Sequence, residues 1–189
     1  MRRARSPDRT RQPSVQNLAG EEGEIVASTK SAPESPENIK ITREHLIELL
    51  NEDLAREYQA IIAYTVYSQV LKGAAFMNIA DQLTLHAKQE LDHALTLARQ
   101  IDYLGGTPTV VPKPVKMSAK NEEMLRFDLD NENETVRNYR ERIKQCEALE
   151  EYAMAEQIRE LVIQEQDHQI DLATALGMEV PEAGRGKRK

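Results

Sequence analysis

Gln89-Glu90-Leu91-Asp92-His93 returns 75 residues later as Gln164-Glu165-Gln166-Asp167-His168. Each copy sets a Glu three residues before a His, a spacing that on a helix brings both side chains to one face about a turn apart. Each copy also has a lone Glu 33 residues upstream, Glu57 before Glu90 and Glu132 before Glu165, and a tyrosine seven residues after that Glu, Tyr64 and Tyr139. Two helical hairpins, each with one Glu and one Glu-x-x-His, supply four carboxylates and two imidazoles. That is a ligand set for two transition-metal ions inside a four-helix bundle.

Outward from the repeat, the chain reads as four amphipathic helices, an all-α fold. The first starts at Thr42, an N-cap, and stops before Gly73. It turns Leu46, Leu50, Leu54, Glu57, Ile61, Tyr64, Ser68 and Leu71 inward. The second runs from Ala75 to Leu104 with Ile79, Leu83, His86, Glu90, His93, Leu97, Ile101 and Leu104 on its inner face. The third, from Ser118 or Asn121 to Ala148, carries Leu125, Leu129, Glu132, Val136, Tyr139, Ile143 and Cys146 inward. The fourth, from Glu151 to Leu176, carries Met154, Ile158, Leu161, Glu165, His168, Leu172 and Ala175 inward, with Gly177 past its end. The alternation of three and four suits helices packed at about 20°. Residues 105–120 hold Pro108, Pro112 and Pro114, too many for a helix and too long a span for a tight turn. The order is therefore a first hairpin, a long crossover and a second hairpin, with no fifth helix expected after Gly177.

A chain of 189 residues has room for one domain with tails. Residues 40–178 form the bundle; residues 1–39, first basic and then acidic and Ser/Pro-rich, and the basic residues 179–189 are expected to be disordered. The basic ends could contact nucleic acid through phosphates, but a net charge of -7 argues against non-specific binding by the whole molecule, and a solvated tail is the reading kept. The single cysteine, Cys146, excludes a disulfide framework and a four-cysteine metal knot and fits a reducing cytosol. Neither a secretory signal nor a membrane span of roughly 18 apolar residues is visible, so a cytoplasmic protein is expected.

Four buried carboxylates without compensation would cost several kcal/mol per ion. Their mutual repulsion would raise their pKa values, and two divalent cations would cancel four negative charges. Oxygen and imidazole donors favour iron or manganese, and zinc would bind as well. Tyr64 and Tyr139 either hydrogen-bond a ligand carboxylate or pack with their hydroxyls satisfied elsewhere. Asp92 and Asp167 read as flank or surface residues, with orientation of a ligand as the lesser alternative. His86 has Leu161 as its repeat mate; an iron-access position is one reading and core packing the preferred one. Cys146 reads as a small core residue.

From about Ile41 to Gly177 the chain resembles bacterioferritin and its ferritin-like di-iron relatives. Glu57, in Leu54-Ala55-Arg56-Glu57-Tyr58-Gln59-Ala60-Ile61, stands where the first-helix ligand of that family stands. Glu90 and His93 match its second-helix pair, Glu132 its third-helix ligand, and Glu165 and His168 its fourth-helix pair. The resemblance implies a ferritin-like bundle binding two iron ions per chain. Glu90 and Glu165 would bridge, Glu57 and Glu132 would be terminal, and one His would serve each iron; Tyr64 also matches a tyrosine beside that site. Bacterioferritin holds haem through a methionine directly after the second-helix Glu; here that residue is Leu91, so haem is not expected. The twenty-four-subunit shell of that family also uses a short fifth helix, which is not expected here, so a twelve-subunit shell or a smaller homo-oligomer stands as an alternative to it.

The expected activity is a ferroxidase that passes electrons from ferrous iron to dioxygen or peroxide, with iron storage in a shell. One rival is a rubrerythrin-like peroxide reductase or a dimanganese enzyme, although a rubrerythrin electron-transfer module needs four cysteines. Another is a nucleic-acid-protecting shell acting through DNA contacts of the basic tails.

Overall fold

Thr42 opens the first helix as the sequence predicts: its Oγ1 accepts from the His45 amide at 3.2 Å and satisfies a donor that the helix leaves free. In the computed structural model, which describes residues 40–180, four long α-helices follow: α1 (Arg43–Val70), α2 (Met77–Tyr103), α3 (Asn121–Ala148) and α4 (Tyr152–Ala175). A single 3₁₀ turn, Ala74–Phe76, leads into α2, so that helix starts two residues later than predicted. The tails expected to be disordered, and any DNA contact through them, lie outside the described residues.

Three helix ends close in the same way. Past α2, Gly106 N–H donates to Ile101 O at 2.9 Å and Gly105 N–H to Asp102 O at 2.8 Å. Past α4, Met178 and Gly177 repeat that pattern on Ala173 and Thr174 at 2.9 and 3.0 Å. These are Schellman closures, which place one residue in the left-handed region; Gly105 and Gly177 serve there, and after α3 Glu150 does so at φ 61. Gly106 is needed for space, because a Cβ on it would come within 2.5 Å of Ile47 Cγ2.

The crossover runs along α1. Asn51 holds Thr107 and Thr109, Ala55 O accepts from Lys113 N–H at 2.9 Å, and Gln59 donates to Pro114 O at 2.7 Å. Tyr67 donates to Lys116 O, and Asn121 reaches Lys72 O at 2.6 Å. An extended segment advances about 3.3 Å per residue against 1.5 Å for a helix, so this short stretch tracks most of α1. It delivers α3 to the opposite end of the bundle.

Side-chain pairs fix the register. Asp53, Glu57 and Tyr64 of α1 meet Arg142, Tyr139 and Glu132 of α3, so these two helices are antiparallel. His86, Gln89, His93 and Gln100 of α2 meet Asp171, His168, Gln164 and Gln157 of α4, again antiparallel. Two apolar clusters fill the interior. One gathers Leu46, Leu50, Leu97, Ile101, Met154 and Ile158, and the other Leu71, Ile79, Leu83, Met124, Leu125 and Leu172. The repeated Glu and His residues occupy the layer between them. The predicted inner faces are buried with few departures. Ala175 is exposed and Ala173 is buried instead. Among the described residues no helix is long and apolar enough to cross a membrane.

Candidate metal centre

Glu57, Glu90, His93, Glu132, Glu165 and His168 are each at most 2% exposed. They fall into two overlapping groups, Glu57–Glu90–His93–Glu165 and Glu90–Glu132–Glu165–His168, each offering ligand atoms that all lie within 4.8 Å of one another. Glu90 and Glu165 belong to both. His93 Nδ1 is 2.8 Å from Glu165 Oε1, 3.1 Å from Glu90 Oε2 and 3.5 Å from Glu57 Oε2. His168 Nδ1 is 3.0 Å from Glu90 Oε1, 3.4 Å from Glu165 Oε2 and 3.9 Å from Glu132 Oε1.

Convergence of this kind is costly without a cation. Burial and the neighbouring Glu165 charge push Glu90 and Glu132 well above the usual carboxylate range. Burial opposes charge on the imidazoles, but the surrounding carboxylates overcome it and push His93 and His168 up. Glu165 is also disfavoured by burial, yet its close polar contacts with Glu132, His168 and His93 hold it below its ordinary range. The metal-free centre therefore keeps protons between its oxygens and nitrogens. Glu90 Oε1, both Glu165 carboxylate oxygens and His168 Nδ1 are nonetheless buried without a hydrogen bond. Orphaned donor atoms of carboxylate and imidazole type, with two carboxylates common to both groups, fit a pair of divalent first-row ions.

The surrounding residues hold those donors in place. Gln89 Oε1 lies 3.0 Å from His168 Nε2, and Gln164 Oε1 lies 3.1 Å from His93 Nε2. An amide oxygen only accepts, so each Nε2 carries the ring proton and each Nδ1 is left facing the carboxylates. Sequence reasoning missed both glutamines, although each directly precedes a repeated Glu. Asp92 and Asp167, read as flank or surface residues with ligand orientation the lesser alternative, are exposed. Tyr64 donates to Glu132 and Tyr139 donates to Glu57, so each tyrosine serves the Glu of the opposite hairpin. Burial and nearby carboxylates raise both phenols well above their ordinary value and keep them as donors.

Further polar residues are buried next to this layer. Arg142 Nε donates to Asp53 Oδ2 at 2.7 Å, yet burial still pushes Asp53 up to about 6. Asp128, the repeat mate of Asp53, has no ion pair among the described residues and is pushed well above its ordinary range by burial. Burial likewise lowers His86 to about 4, helped by the nearby His168. Cys146 is fully buried, and its thiol is pushed up to about 12. That suits the core role expected of it. Leu91, the residue in the haem-methionine position, is half exposed.

The chain is similar to known proteins. The ferritin-like domain matches residues 47–178. A bacterioferritin of Brucella melitensis is 26% identical over 141 residues, covering 71% of this chain and 88% of that protein. A bacterial ferritin of Paramagnetospirillum magnetotacticum is 29% identical over 139 residues, covering 72% of this chain and 85% of that one. A crystal structure of ferritin-like, diiron-carboxylate proteins from Bacillus anthracis superposes with a TM-score of 0.69 at 33% identity, covering 73% of this chain and 99% of the other.

Proposed function

Since this chain belongs to the ferritin-like domain family, we propose that its buried centre takes up two ferrous ions and oxidises them, with dioxygen or peroxide as acceptor. The observation that supports this reading most is the overlap of the two four-residue groups at Glu90 and Glu165. Two ions held at about 3.5–4 Å need carboxylates that reach both, and only these two lie in both groups. Glu57 and Glu132 then act as terminal ligands, and His93 and His168 each serve one ion through Nδ1. The iron is substrate here, each ion giving up one electron.

The rest of the work is done by the chain's own residues. Gln89 and Gln164 keep the imidazoles in the tautomer that offers Nδ1. Tyr139 donates to Glu57 Oε1 and leaves Oε2 facing His93, whereas Tyr64 donates to Glu132 Oε1, the oxygen that also lies toward His168; both tyrosines fix the rotation of a ligand carboxylate. The protons that the metal-free carboxyls and imidazoles hold are the ones that metal uptake releases. The apolar clusters on either side limit water to the centre itself. Ferric product storage in a homo-oligomeric shell is the role we assign by likeness to the bacterial ferritins; cytoplasmic residence belongs to the same reading, as do residues 40–178 as its domain.

Ferrous ion added to the metal-free protein in air should give a fast oxidation phase equal to two irons per chain. Glu132→Ala should lose that phase while keeping its helical circular dichroism. An unchanged fast phase in Glu132→Ala, or none in the native protein with either oxidant, contradicts the proposal. If manganese loading instead yields peroxide disproportionation, the dimanganese alternative takes its place. Size analysis after iron loading tests storage: an enlarged electron-dense particle is expected, and a soluble protein with ferric precipitate refutes it.

A further inference from the structure

The two halves of the centre, related by the 75-residue offset, match at the ligands, at Gln89 and Gln164, and at Tyr64 and Tyr139. They differ on one flank. His86 has Leu161 as its mate, and Asp171 has Thr96. The flank beside His93 is thus aliphatic, while the flank beside His168 is polar. His86 is 3% exposed and stacks on His168 with ring centroids 4.0 Å apart. Its Nε2 lies 3.1 Å from Asp171 Oδ2, and Gln82 donates to the same oxygen at 3.2 Å. The Asp171 side chain keeps 34% of its surface in solvent. His86 Nδ1 is buried and has no hydrogen-bond partner. Leu161 shows that a hydrocarbon fills the equivalent place in the other half, so packing does not require an imidazole here.

We propose that Asp171 and His86 form a third divalent-cation site, a staging position from which ferrous ions pass from solvent into the centre beside His168. Donor atoms 3.1 Å apart are spaced as neighbouring ligands of one ion. Bonds of roughly 2.1 Å meeting at a right angle put the donors roughly 3 Å apart. The half-exposed carboxylate can meet a hydrated cation, the buried imidazole replaces part of its water, and a turn of the Gln82 amide offers an oxygen. With fewer charged donors than either four-residue group, the site holds an ion more weakly than the centre and so favours inward transfer. The site stands on its own residues; its feeding role rests on the ferrous-oxidation reading.

Metal-free full-length protein is titrated with Zn²⁺, which is redox-inert, and crystals soaked in Zn²⁺ are examined by anomalous scattering. Three ions per chain are expected, the third the weakest, with a peak between His86 and Asp171. Asp171→Ala and His86→Leu should each bind one ion fewer and keep the pair; Thr96→Val, the mirror position, should keep all three. At limiting ferrous concentration Asp171→Ala should slow the oxidation phase several-fold with its amplitude unchanged. His86→Leu also alters packing against His168, so the half-exposed Asp171 position decides. A third ion that persists in Asp171→Ala, or native protein with no density beside His86, overturns the site. An Asp171-dependent ion without any buried pair upholds the site and refutes the di-metal reading instead. An Asp171-dependent ion with an unchanged ferrous rate refutes the feeding role.

Discussion

The His93 half and the His168 half of the centre share their donors but not their surroundings. Within the layer, each of the six Glu and His side chains, and each Gln and Tyr that hydrogen-bonds one of them, has a mate 75 residues away. One residue farther out, the correspondence fails. Asp53 is paired with Arg142, whereas at the mates of these two residues Asp128 stands opposite Tyr67, whose hydroxyl is committed to Lys116 O. His86 and Asp171 answer to Leu161 and Thr96. A pair of like-charged ions asks for the same donors on both sides, so the layer has little freedom to diverge. The flanks need only to fill space and balance charge, which can be done in several ways, and one of those ways leaves a polar route to solvent.

The largest effects should fall on the shared carboxylates. Alanine at Glu90 or Glu165 takes a donor from both groups, so both ions should be lost together, with affinity down by more than the roughly 100-fold that outer partners contribute. Alanine at Glu57 or Glu132 should weaken one ion more than the other. A competition titration separates the two patterns, and one-ion loss in Glu165→Ala would break the symmetry argued above.

Next in size is the contrast between the two buried aspartates. Asp53→Ala strands the buried Arg142 guanidinium and should destabilise the fold by about 3–5 kcal/mol. Asp128→Asn removes a carboxyl that has no counter-charge and should change stability by less than about 1 kcal/mol. Denaturant unfolding reads both, and similar losses would show that Asp128 has a partner of equal weight.

The two glutamines sharpen the comparison further. Gln164→Leu and Gln89→Leu should each lower metal affinity about 10–100-fold by freeing the ring tautomer. His168 is additionally held by its stack on His86, so the loss should be smaller in Gln89→Leu. The reverse order in a calorimetric titration would mean that the stack does not restrain His168.

Titration gives the mildest effect. Asp53 is raised to about 6, Asp128, Glu90 and Glu132 are raised further from their ordinary values, and His93 and His168 are raised as well. The metal-free fold thus keeps protons that the unfolded chain releases between about pH 4 and 6.5, and its stability falls as pH rises through and beyond that range. Two groups act in the opposite sense: Glu165, held low, only below its ordinary range, and His86, lowered to about 4, between about pH 4 and 6.5, one histidine against the several raised groups. The melting temperature of metal-free protein should drop from about pH 5 to about pH 7.5, and metal should abolish the drop. A flat metal-free profile would contradict this balance.

Much of this was legible in the residues themselves. The 75-residue repeat picked out the six Glu and His side chains that the fold gathers into one buried cluster, and the apolar spacing around them identified the four helices and their inner faces. Gly177 marked the end of the fourth helix correctly. The crossed tyrosine contacts were not legible, because a same-face spacing says which residues share a helix side but not which helix lies opposite. Asp53, Asp128 and Arg142 were missed for the same reason: they lie beside the apolar stripes and become interior only when α1 and α3 face one another. The role of Gln89 and Gln164 needed the antiparallel register of α2 and α4, which sets each amide against the histidine of the other copy.

Anomalous diffraction from protein loaded with ferrous iron under anaerobic conditions tests the central claim most directly. Two strong peaks per chain are expected, about 3.5–4 Å apart, one beside His93 Nδ1 and one beside His168 Nδ1, with Glu90 and Glu165 reaching both. A single buried ion, or iron bound only at the surface while these six side chains stay empty-handed, would contradict it.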